Sequence, residues 1–170
     1  MGKIAGRVWA DPAGRFLALY PVVTALVFLT PLALPNSENW VIGATLQSLG
    51  LARFLLPSAV RVDAPSFSIG PTSIQIVSDC TAMFPTLLLI GGILAFPTRW
   101  RWKLVGGLAG AGLLWVYNML RIYALMAVLR HAPAYFDLIH VYLWQSVTLL
   151  VVVGCFLLWV RLCGSVRAAV

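Results

Sequence analysis

Charge is what this sequence has least of, and acidic charge above all. Only 10% of its 170 residues are charged, with 12 Lys or Arg against 5 Asp or Glu. Soluble domains carry about 25% charged residues, so composition excludes an ordinary water-facing globule. An apolar share of 61% makes a bilayer the natural solvent. Cysteine is scarce too. Cys80, Cys155 and Cys163 are too few and too scattered for a disulfide framework, and no CxxC or Cys/His spacing of the metal-binding kind occurs. Neither a metal nor a cofactor is implied. A net charge of +7 points to nucleic acid only where basic residues gather on one folded face. Here they flank apolar runs, as topology signals do, so the expected partner is the lipid bilayer and not nucleic acid.

What is present is a series of long apolar runs, read as one membrane domain over 1–170. The run 16–35 is about 20 residues, long enough to span. It is too long for a signal-peptide core and has no small-x-small cleavage site, so it reads as an uncleaved first helix. Three more runs, 81–97, 104–129 and 138–162, are spanning candidates. The second holds Gly106, Gly107, Gly110 and Gly112, which permit close helix packing in lipid. A phosphate-binding reading of those glycines needs a preceding strand, and the pattern has none. Two segments break character. The stretch 39–57 is apolar but contains Gln47, Ser48, Gly50 and Arg53. In 58–79, Arg61, Asp63, Pro65 and Gly70-Pro71 punctuate short β-branched runs, which predicts a small external β-hairpin-like loop.

Basic residues orient the runs. Arg99, Arg101 and Lys103 fall in a short loop, and such loops face the cytoplasm. Lys3, Arg7 and Arg15 put the N-terminal end on the same side, and Arg161 and Arg167 the C-terminal end. These placements agree only if an even number of spans precedes Arg99. The runs 16–35 and 81–97 already make two, so 39–57 is expected to be interfacial or re-entrant. The expected fold class is an all-α integral membrane protein: a polytopic helix bundle with about four spanning helices, that segment and the external loop.

With the cytoplasmic anchors fixed, depth follows at 1.5 Å per helical residue. Cys80 lies roughly 28 Å from Arg99, Arg121 roughly 27 Å from Lys103, and His140 roughly 31 Å from Arg161. A hydrocarbon core is about 30 Å thick, so three helices bring three reactive residues to one plane at its outer boundary. Each has a plainer reading. A membrane cysteine is usually a small hydrophobe, which suits Cys155, about 22 Å below His140. Cys80 differs because it opens a helix, where the macrodipole favours a thiolate; adjacent Asp79 opposes this unless it caps the helix. Arg121 can snorkel to headgroups, yet Asn118 sits one turn below on its face, a pairing typical of an interior polar site. His140 can be an interfacial residue beside Tyr142 and Trp144, its helix capped by Asp137. His131 reads as solvated. Taken together the three suit acyl transfer: Cys80 as nucleophile, His140 moving protons, Arg121 holding an oxyanion.

At these residues the chain resembles the exosortase/archaeosortase family of prokaryotic membrane transpeptidases. The matches are Cys80-Thr81-Ala82 at a helix start, Asn118-Met119-Leu120-Arg121-Ile122 within a helix, and His140 near the start of a later one. The common Cys-Ser-Gly of that family is here Cys-Thr-Ala. The likeness covers about 46–162 and looks like a compact catalytic core without further spans. It implies Cys80, Arg121 and His140 as catalytic, with Asp79, Thr81 and Asn118 binding substrate or supporting them. It also implies a cysteine peptidase of the prokaryotic cytoplasmic (inner) membrane, its site facing outside. Substrates would be membrane-anchored exported proteins with a C-terminal sorting tail, cleaved and transferred to the cell envelope through a thioacyl intermediate. Two other readings remain open on sequence: a non-enzymatic membrane transporter or assembly subunit, and an intramembrane protease that only hydrolyses.

Overall fold

In the computed structural model, which describes residues 11–34, 36–54 and 60–168, the apolar runs become helices and the punctuated stretch becomes a sheet. Helix α1, Pro12–Ala33, starts where the Asp11 carboxylate accepts from Gly14 N at 3.1 Å and Pro12 occupies the first turn. Helix α2 is Ser37–Gly50, extended by a 3₁₀ turn Leu51–Phe54. Helix α3 is Met83–Ala95, α4 is Trp100–His131, and α5 is Trp144–Ala168. Three helical stretches, Ala13–Pro31, Trp100–His131 and Leu138–Cys163, are long and apolar enough to cross a membrane. Leu17, Leu26, Leu108, Leu120 and Leu150, all more than 60% exposed, present the apolar exterior a lipid solvent requires. The chain is thus a largely α-helical protein of membrane type carrying one small sheet.

Three expectations need correction. The run 81–97 is helical only over 13 residues, about 20 Å, short of the roughly 30 Å hydrocarbon core. Its first residues go into a turn instead, because the Thr81 hydroxyl donates to Ser78 O at 2.7 Å and holds the chain out of the helix. The external loop is not a single hairpin. It is a three-stranded antiparallel meander, β1 (Val60–Asp63), β2 (Ser66–Ile69) and β3 (Thr72–Gln75), in spatial order β1-β2-β3. Charged Arg61 and Asp63 hide β1 from a hydropathy reading, but they face outward while Val60 is buried. Asp137, expected as a helix cap, has helical backbone angles and makes no capping bond. The basic anchors Lys3 and Arg7 lie outside the described residues, as do Pro35 and residues 55–59.

Two cores form. At one end, Leu46 and Leu49 of α2, Val60, Phe67 and Ile76 from the sheet region, and Ile122 and Met126 of α4 pack together. Tyr123 closes this core, its ring 5.9 Å from that of Phe67 and its hydroxyl donating to Leu49 O at 2.8 Å. The described part of segment 39–57, residues 39–54, therefore packs through α2 against the sheet and α4. At the other end, Leu89 and Ile93 of α3, Leu114 of α4, and Val152, Trp159 and Cys163 of α5 interlock. Phe16, Phe96 and Phe156 join them ring to ring at 5.5 to 6.1 Å. Gly106 is needed here: an added Cβ would lie 2.2 Å from Trp159 Nε1, which donates to Trp102 O at 3.0 Å. Helix α1 reaches the bundle through a close approach of Thr24 to Gly91, where an added Cβ would meet the Thr24 Cα at 3.0 Å.

Candidate functional site

Cys80 ends a one-turn 3₁₀ helix, Ser78–Cys80, that links β3 to α3. The turn is tied by Cys80 N donating to Val77 O at 2.9 Å and Thr81 N donating to Ser78 O at 3.0 Å. Thr81, 1% exposed, donates its hydroxyl to Ser78 O and accepts from Met83 N at 3.3 Å. That hydroxyl is consumed locally, so Thr81 shapes the turn. Asp79 is exposed and makes no capping bond to α3; the capping contact falls to Thr81. The thiol of Cys80 is half-buried, beside the start of the helix and not within it.

Asn118 ties this turn to α4. Its side-chain amide donates to the Cys80 carbonyl at 2.9 Å, a bond between residues 38 apart in sequence, and Asn118 is 3% exposed. Arg121, one turn further along the same face of α4, is 7% exposed, and its buried Nε has no hydrogen-bond partner. Two cavities border Arg121, so a ligand or water entering them has an unoccupied donor side chain to meet. Snorkelling to headgroups does not describe a guanidinium buried to this degree.

His140 comes from the opposite side. It sits in a π-helical turn, Leu138–Leu143, between the 3₁₀ turn Pro133–Tyr135 and α5. π turns are rare and recur at functional sites because the wider turn re-aims one side chain. The imidazole is half-buried with the Phe136 ring 5.3 Å away. His131, in contrast, ends α4 exposed.

Cys80, Arg121 and His140 line one cavity of about 350 Å³, together with Ser73, Gln75 and Val77 beside β3 and Phe136 beside His140. A second depression of about 480 Å³ adjoins it, sharing Arg121 and His140 and bounded by Asp79, Thr81, Gln145 and Thr148. Arg121 and His140 thus stand between two chambers, with the thiol on one side and the Asp79 carboxylate on the other. Of the six expected site residues, five line a chamber, and Asn118 supports the Cys80 turn from behind. Sequence reading missed Gln145, Thr148 and the residues beside β3; Thr148 is fixed by its contact with the Tyr117 hydroxyl at 3.0 Å. Among the described residues no cluster of His, Cys, Asp or Glu is arranged to hold a metal ion.

No protein-family model, curated protein or solved structure matches the chain.

Proposed function

We propose that the protein is an exosortase-like membrane cysteine transpeptidase acting on exported proteins at the outer face of a prokaryotic cytoplasmic membrane. The observation that carries this reading is the shared cavity: a half-buried thiol, an imidazole and a buried guanidinium with an unpaired Nε, drawn from three separate elements. The Cys80 thiol gives its proton to His140 and its sulfur attacks a peptide carbonyl carbon. Negative charge moves to the carbonyl oxygen, which accepts from Arg121. When the C–N bond breaks, His140 returns the proton to the leaving amine, and a thioester remains on Cys80. An acceptor nucleophile then attacks that thioester, passes its proton to His140, and releases the thiol. In this reading α3, with the turn before it, completes a fourth membrane crossing, and α2 stays at the outer boundary.

Intact-mass analysis of purified protein from cells that make tailed envelope proteins tests the proposal. A hydroxylamine-labile acyl adduct on Cys80 is expected, absent in Cys80→Ala while that variant still inserts and folds. Envelope proteins processed normally by Cys80→Ala would leave a transporter or assembly subunit as the better reading. A free acid at the new C-terminus would indicate hydrolysis instead of transfer.

A further inference from the structure

The sheet has an unpaired edge, and that edge borders the chamber holding Cys80. In the β2–β3 hairpin, Ile69 pairs with Thr72, Ser68 with Ser73, Phe67 with Ile74, and Ser66 with Gln75. Opposed residues of antiparallel strands alternate between pairs that exchange main-chain bonds and pairs that do not. The phase is set one residue beyond β3, where Ile76 N donates to Pro65 O at 2.9 Å. Ile76, Ile74 and Thr72 therefore turn their main-chain groups toward β2. Ser73 and Gln75 turn theirs the other way. The Ser68 and Ser73 hydroxyls, 3.0 Å apart, fit the closer side-chain spacing of a pair without main-chain bonds.

Among the described residues no further strand lies beyond β3, since the order ends β1-β2-β3. Ser73, Ile74 and Gln75 all line the chamber with Cys80. A strand face would present only alternate residues, so three in succession mean that the edge itself borders the space. The edge that carries the outward N–H and C=O groups of Ser73 and Gln75 thus borders the same chamber as Cys80 and Arg121.

We infer that this edge binds an extended peptide by strand addition. The segment on the acyl side of the scissile bond becomes a fourth strand on β3, delivering its last carbonyl to Cys80 and Arg121. Main-chain pairing supplies affinity, and alternate side chains supply specificity. Exposed edges invite such pairing and are usually blocked by charge or proline; β3 carries neither between Thr72 and Gln75. The inference rests on the transpeptidase reading for what happens next, but binding itself does not require that chemistry.

A tetrapeptide vinyl sulfone of uncharged, β-prone residues provides the probe, with methyl vinyl sulfone as its bare counterpart. Both alkylate a thiol; only the peptide can pair with β3. Labelling of Cys80 by the peptide is expected to be at least 10-fold faster than by the bare reagent. N-methylating the alternate amides that face β3 should erase the advantage, and methylating the intervening set should preserve it. Gln75→Pro, which removes an outward donor without removing a ladder bond, should bring the ratio of the peptide rate to the bare rate close to one. Equal rates for peptide and bare reagent would overturn strand addition, as would equal sensitivity to both methylation sets. If Cys80 resists both reagents, the catalytic reading fails. The same peptide carrying a benzophenone then decides binding by itself: cross-links to 72–77 uphold it, and their absence overturns it.

Discussion

The two ends of this molecule solve packing in different ways. The core beneath the sheet joins residues far apart in sequence, from Leu46 through Phe67 to Met126, and includes a tyrosine hydroxyl and a buried asparagine nearby. The opposite core is a helix–helix interlock of aromatic rings and glycine, with Trp159 seated where Gly106 leaves room. One end invests its polar groups in fixing a turn beside a buried guanidinium; the other ties its buried Trp159 N–H to a main-chain oxygen. Under the proposed function the comparison separates a reactive end from an anchoring end. Substitutions in the first should cost activity out of proportion to stability, and those in the second the reverse.

Arg121→Lys breaks the comparison hardest if it fails. A lysine keeps the charge but loses the planar fork, and losing a well-placed oxyanion donor costs about 10²–10³ in rate. The variant should insert normally and leave Cys80 open to a thiol reagent, with processing reduced by that factor in a cell-envelope assay. Near-normal turnover would take Arg121 out of the site. Gly106→Ala tests the anchoring end. Its Cβ collides with Trp159, and overpacking of this kind costs about 1–3 kcal/mol. A lower Tm in detergent is expected, with unchanged turnover per folded molecule.

Asn118→Ala should fall between the two. It removes the bond to the Cys80 carbonyl, worth about 0.5–1.5 kcal/mol. The Tm should drop by only a few degrees, while the labelling rate of Cys80 shifts more because its turn is no longer tied to α4. Cys155→Ala should do least. Cys155 packs against the anchoring core and lines no chamber with Arg121 or His140, so processing should be unchanged.

Much of this layout was legible as arithmetic. Counting helical rise from Lys103 to Arg121 and from Arg161 to His140 brings both to one level, and both line the cavity that Cys80 also lines. Asn118 was legible as a polar residue on the Arg121 face, but its partner was not, since a bond spanning 38 residues leaves no local signature. Strand β1 was hidden because four residues with two charges carry too little pattern to separate from a loop. Asp79 is legible as a charge beside Cys80, whereas the neighbouring Thr81 hydroxyl shapes the turn. The π turn had no signal in residue type at all.

That turn has a consequence for insertions and deletions. A wider turn accommodates one residue more than the α-helix it interrupts, so the direction of His140 depends on a count and not on the identity of its neighbours. If Leu138–Leu143 relaxed to α-helix with every residue kept, the imidazole would swing by about 100° around the axis of α5. No hydrophobic contact in α5 beyond Trp144 need change. A single deletion within the turn would instead let it close to α-helix with its flanks still in phase, so this stretch has slack for one lost residue that the uninterrupted helix beyond Trp144 lacks.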